Sequence, residues 1–307
     1  MGGDHSRRAV LGGVLGVGVA GLAAAAPGLA AADDLAVERG GRGRYAGKVV
    51  QITGGTSGIG AATARAFAAA GAKVAFCGRR TALGQEVERA IRAAGGDATY
   101  IAADVRVPSS VQQFVDGAVR RYGRVDIAFN NAGVQINADL HKVTVEQWDD
   151  VMNTNARGVF LAMKHQVPHM QAVGGGHIII NSSVGAIVGR PGLSTYQATK
   201  QAVRALAQSA ALEYGVNGIR VNAILPGITD TPMIRPPGMD DATWEQAKVY
   251  VGRMNVDGLK AVASPDQIAR AVLALASDDL NYLTGAAVPV DGGIAAGRRM
   301  LLPELPS

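Results

Sequence analysis

From Gly47 onward the chain alternates short apolar, β-branched runs with longer Ala-rich amphipathic ones. That is the pattern of βαβ units whose parallel strands are buried on both faces. Strands are predicted at 49–53, 73–77, 98–102, 127–130, 177–181, 219–224 and 287–290, and helices at 60–70, 82–94, 109–122, 144–163, 196–214 and 265–276. The expected fold is α/β, a single doubly wound Rossmann-type domain over residues 45–296, its sheet seven-stranded and mainly parallel with helices on both faces. Residues 232–264 carry the least regular pattern. Ligands of open α/β sheets bind beyond the carboxyl ends of the strands, so this stretch reads as a substrate lid.

The first 32 residues follow a different pattern. Arg7-Arg8 precede a mildly apolar, Gly-rich run over 9–26, which ends near Ala30-Ala31-Ala32. These are the n-region, h-region and small-residue site of an export signal, and the paired arginines are those of the twin-arginine type. The expected location is therefore outside the cytoplasm, periplasmic or extracellular, with no stable membrane span after cleavage; the alternative, if the signal is not functional, is the cytoplasm. Residues 33–44 read as a charged linker and 297–307 as a C-terminal tail.

Composition narrows the partners. Hydrophobic residues are 48% and charged residues 18%, enough for a large core. The net charge of +5 is scattered, without the basic and aromatic clustering of a nucleic-acid surface, so no nucleic-acid partner is expected. Cys77, the only cysteine, sits in an apolar run and reads as a buried thiol. His165 and His169 stand four apart, but Pro168 is expected to interrupt their helix and no third ligand follows, so no metal is expected.

Chemistry begins at the first loop, Thr53-Gly54-Gly55-Thr56-Ser57-Gly58-Ile59-Gly60, which runs straight into a helix. Glycines there let backbone N–H groups and a helix N-terminus approach a pyrophosphate. Thr63 stands where the third glycine of G-x-G-x-x-G belongs, so that fingerprint is not met. The segment instead resembles the T-G-x-x-x-G-x-G loop of the short-chain dehydrogenase/reductase family. The resemblance continues in order through Asn130-Asn131-Ala132-Gly133, Asn155, Ser183, Tyr196-Gln197-Ala198-Thr199-Lys200, Pro226-Gly227 and Asp291-Gly292-Gly293.

The resemblance implies an oxidoreductase that moves hydride between a nicotinamide dinucleotide and a small carbonyl or alcohol substrate, in a homo-oligomer, expected to be a tetramer. It implies catalysis by Ser183, Tyr196 and Lys200, with Asn155 in support. Cofactor contacts would come from Gly54, Thr56, Ser57, Gly58, Ile59, Gly60, Asp104, Val105, Asn131, Ala132, Gly133, Pro226, Gly227, Ile228 and Thr231, together with Tyr196 and Lys200.

Two points follow from residue chemistry. The second strand runs into Gly78-Arg79-Arg80 with no carboxylate in reach of a ribose 2′-OH, and Arg79 offers the donor fork that a 2′-phosphate wants, so NADP(H) is expected over NAD(H). Tyr196 and Lys200 lie four apart on one helix, hence on one face, where an ammonium and the oxidised cofactor's positive ring would lower the phenol's pKa. Ser183, thirteen positions before Tyr196, would polarise the same carbonyl, with Ser182 as its rival. A catalytically silent dinucleotide-binding sensor or scaffold is the second reading. The intact Ser183, Tyr196 and Lys200 set opposes it.

Overall fold

The computed structural model describes residues 43–298. Seven strands form one sheet in the order β3-β2-β1-β4-β5-β6-β7: β1 Val49–Thr53, β2 Lys73–Gly78, β3 Asp97–Ala102, β4 Ile127–Asn130, β5 Gly176–Asn181, β6 Ile219–Pro226 and β7 Ala287–Val290. Every pairing is parallel, so the sheet is wholly rather than mainly parallel.

The helices are α1 Gly58–Ala69, α2 Thr81–Ala93, α3 Pro108–Tyr122, α4 Val145–Met152, α5 Gly158–Ala172, α6 Ser194–Tyr214, α7 Asp241–Asn255 and α8 Pro265–Ala276. Alternating strand residues divide the core. Val50, Ile52, Phe76, Ile179 and Ile224 pack with Phe67 of α1 and Ile268 and Val272 of α8, while Ile178, Ile180, Val221 and Leu225 pack with Val159 and Met170 of α5 and Val203 of α6. The central strands are thus covered on both faces, which is why the sequence shows apolar runs there rather than alternation, while β3 and β7 at the sheet edges are only partly buried.

Three expectations need correction. The predicted helix over 144–163 runs on to Ala172, but as α4, a π-turn at Asn153–Arg157 and α5 in succession. Pro168 lies inside α5 and does not interrupt it, and His169 meets Asp116 through Nε2 at 3.2 Å. Residues 232–264, read as irregular, contain α7, which Asp240 caps at Thr243 N. Its periodicity is weak because only Trp244 and Gly252 are buried.

No described helix is long and apolar enough to cross a membrane. The export signal and nearly all of the linker and tail lie outside the described residues.

Candidate active site

The sheet order reverses between β1 and β4, where successive connections leave toward opposite edges and open a crevice at the strands' carboxyl ends. A cavity of about 740 Å³ occupies that end. Of the residues predicted for the site, all line it except Gly60 and Asn155. Gly60 acts one layer back, because a Cβ there would stand 2.2 Å from the Gly54 carbonyl oxygen, so only glycine lets α1 close on the loop.

The loop is held from below. The Asn131 side-chain amide donates to the carbonyls of Thr53 and Gly54, both at 3.1 Å, while Thr53 Oγ1 accepts from Asn131 N and Ala132 N. Gly58 has φ +53°, which favours glycine. Ser57, at the N-cap of α1, makes no side-chain cap hydrogen bond, and the first turn holds no acidic residue. The leading N–H groups of α1 therefore face the crevice without a side-chain acceptor, beside glycines that expose the backbone, which fits the pyrophosphate of a dinucleotide.

The end of the crevice beyond β2 is basic. Arg79 and Arg80 both line the crevice beyond β2, but they differ. Arg80 donates to Thr56 Oγ1 at 3.1 Å and Ser57 Oγ at 2.5 Å, bracing the glycine loop. Asp104 and Val105 follow β3; both Asp104 carboxylate oxygens accept from Arg106, whose guanidinium holds that carboxyl below its usual range.

At the other end, Ser182 and Ser183 are separated by their bonds. Ser182 Oγ donates to the Lys200 carbonyl at 2.8 Å and is buried. Ser183 Oγ accepts from Gly185 N at 3.0 Å and lies near enough to the Tyr196 hydroxyl to favour its ionised form. Ser183 is therefore the serine that meets the tyrosine.

Lys200 is buried, and its Nζ donates to the Asn181 carbonyl at 2.7 Å while standing 5.4 Å from the Tyr196 ring centroid. Burial lowers Lys200 to about 8. Burial also pushes Tyr196 above its usual value, opposed by the Ser183 hydroxyl beside it. The chain by itself thus holds the phenol in its protonated form; the expected lowering joins the ammonium to the positive ring of the oxidised cofactor.

Asn155 sits in the π-turn, where the extra residue per turn aims its amide inward. It bonds both the N–H and the carbonyl of Val134 at 2.8 Å and donates to Thr199 Oγ1 at 3.1 Å. Gly133 lies between Asn155 and Lys200: a Cβ there would stand 3.4 Å from Asn155 Oδ1 and 3.6 Å from Lys200 Nζ.

The family model described as enoyl-(acyl carrier protein) reductase matches residues 54–295. A cis-4-hydroxycyclohexanecarboxylate dehydrogenase of Sinomonas cyclohexanicum is 38% identical over 82% of this chain and 98% of its own. The chain belongs to the short-chain dehydrogenase/reductase family. A 3-alpha-(or 20-beta)-hydroxysteroid dehydrogenase of Mycobacterium bovis is 37% identical over 83% of this chain and 92% of its own. The crystal structure of a levodione reductase superposes with a TM-score of 0.76 at 34% identity, covering 82% of this chain and 99% of that one.

For a short-chain dehydrogenase/reductase, the sequence reading missed the wall beyond Tyr196. Gln135, Arg190, Leu193, Met233 and Ile234 line it. Arg190 carried a signal, as the only charged residue between Ser183 and Tyr196. Met233 and Ile234 fall in the stretch read as a substrate lid without being singled out, while Gln135 and Leu193 carried no signal. Asn181, which stands where the family more often has an apolar residue, donates to Asn131 Oδ1 at 2.8 Å. With its carbonyl on Lys200, it ties the glycine loop's support to the catalytic end.

Proposed function

We propose that this enzyme interconverts a ring-borne secondary alcohol and its ketone, with NADP(H) as hydride carrier and NAD(H) serving less well. The observation that carries the reading is the convergence of Ser183, Tyr196 and Lys200 on the crevice that also holds the glycine loop. Relatives whose names place a hydroxyl on a ring, the hydroxycyclohexanecarboxylate and hydroxysteroid dehydrogenases, support the substrate class. Assembly as a homotetramer belongs to the same proposal, and Phe160 of α5 and Leu212 of α6, both exposed, support it.

The dinucleotide, when bound, supplies or accepts the hydride. In reduction, Ser183 and Tyr196 hydrogen-bond the substrate carbonyl oxygen, and the Tyr196 proton passes to that oxygen as the hydride arrives at its carbon. The phenolate left behind is stabilised by the Lys200 ammonium and regains a proton from solvent. Ketone, reduced cofactor and one proton thus become alcohol and oxidised cofactor. Because burial keeps Tyr196 protonated, the resting chain is poised to reduce near neutral pH, and oxidation gains as pH rises.

Cofactor choice rests on Arg79, since Arg80 is engaged by Thr56 and Ser57. Arg79→Ala is expected to weaken NADPH about ten- to a hundredfold, the ~1.5–3 kcal/mol of a charge-assisted bond, with little change in NADH. Dissociation constants for both cofactors decide it, and a wild-type enzyme that already prefers NADH overturns the assignment. The single change is the clean one. Removing Arg80 also loosens the loop, and a side chain at Gly78 would press its Cβ to 2.6 Å from Thr56 Cγ2.

A further inference from the structure

Arg190 is the one charged side chain on the substrate wall. That wall is otherwise Val184, Leu193, Met233 and Ile234, with Gln135 as a neutral polar group. Lys200 is buried behind it, and the other cavity-lining cations, Arg79 and Arg80, stand at the end of the crevice beyond β2.

Arg190 is half-buried and, among the described residues, forms neither an ion pair nor a side-chain hydrogen bond. Its loop is nonetheless fixed on both sides. Two residues before it, the Val188 carbonyl accepts from Gln197 Nε2 at 2.8 Å. Two residues after it, the Gly192 carbonyl accepts from Ala138 N at 3.0 Å. Gly192 has φ +76°, and a Cβ there would stand 2.3 Å from Asn137 Oδ1, so the turn that presents Arg190 is specified by a glycine.

A guanidinium held on a braced turn, over an apolar wall and without a protein anion, is an anion receptor aimed at whatever the wall encloses. The only carboxylate lining the cavity is Asp104, which Arg106 already binds, so nothing on the substrate side repels a negative charge.

We propose that the substrate is a carboxylate-bearing ring alcohol or ketone, its ring on the Val184, Leu193 and Met233 wall and its carboxylate on Arg190. This rests on the oxidoreductase reading above and adds the substrate's charge. Arg190 then sets orientation as well as affinity: with the carboxylate seated, the ring carbon bearing oxygen is directed at Ser183 and Tyr196.

The test compares 4-oxocyclohexanecarboxylate with its methyl ester, measuring kcat/KM for the wild type, Arg190→Met and Arg190→Lys. The wild type is expected to favour the acid over the ester, and Arg190→Met to collapse that ratio by about ten- to a hundredfold, chiefly through KM, with Arg190→Lys restoring part of it. A wild type that favours the ester overturns the proposal, as does an Arg190→Met variant that depresses both substrates in proportion, the mark of a merely structural role. A parallel loss of NADPH affinity in Arg190→Met assigns the guanidinium to the cofactor and also overturns it. If neither compound is turned over, the ring-alcohol reading fails separately. Arg190 is then judged by calorimetry with the unreactive cyclohexanecarboxylate, where wild-type binding lost in Arg190→Met supports the receptor and equal affinities refute it.

Discussion

Lys200 is 4% exposed and carries its ammonium into a site where, among the described residues, its one hydrogen-bond acceptor is a backbone carbonyl, that of Asn181. A pKa lowered from 10.5 to about 8 means that the folded state disfavours the proton. Below pH 8 the group is charged in both states and the folded chain bears the full penalty, about 3 kcal/mol; the penalty fades as pH rises from 8 to 10.5. Lys200→Met is therefore expected to raise Tm by several degrees at pH 7 while sharply lowering turnover, a trade of stability for function. Calorimetric melting beside an activity assay checks it, and a lower Tm in the variant contradicts the reading. The same residue shows what a sequence can convey. The four-residue spacing from Tyr196 places both on one face of α6, but the Asn181 carbonyl beneath the ammonium and the raised phenol pKa arise from packing across β5, which no local pattern records.

At the scale of elements, β5 and β6 are joined below the site by His177, whose Nε2 meets the Asn222 side-chain amide at 3.0 Å. Burial, with Arg220 nearby, lowers His177 to about 3. Its folded pKa lies below its unfolded value of 6.5, so its contribution to stability is complete above 6.5 and is lost as pH falls from there toward 3. The loss reaches about 2 kcal/mol by pH 5, where most carboxylates remain ionised. His177→Gln is expected to flatten the fall in Tm between pH 7 and 5, whatever it does to the absolute value; an unchanged slope contradicts the buried neutral imidazole. The strands and most helices were legible because burial on both faces leaves uninterrupted apolar runs, as at Ile178, Ile179 and Ile180. The π-turn at Asn153–Arg157 was not, since one extra residue in a helix leaves periodicity almost intact. Helix α7 was missed for the opposite reason: it is held by Trp244 Nε1 and Lys248 Nζ on the Asp230 carboxylate, at 2.7 and 2.5 Å, rather than by an apolar stripe.

At the scale of the whole chain, Arg7-Arg8 and a Gly-rich apolar run precede the short-chain dehydrogenase/reductase domain in sequence. We propose export by the twin-arginine route, which carries folded proteins and would let the dinucleotide be loaded before crossing. A reporter fused after Asp34 is expected to leave the cytoplasm, and Arg7→Lys with Arg8→Lys to stop it; a cytoplasmic protein that retains Met1 refutes the proposal. The central claim, that the mature holoenzyme moves hydride with Tyr196 as the proton donor, is tested most directly by Tyr196→Phe. Carbonyl reduction should fall ~10²–10⁴-fold, the worth of general acid catalysis, while the dissociation constant for NADPH stays within about threefold, since the change deletes only one hydroxyl. Turnover near the wild-type rate in that variant would contradict the account.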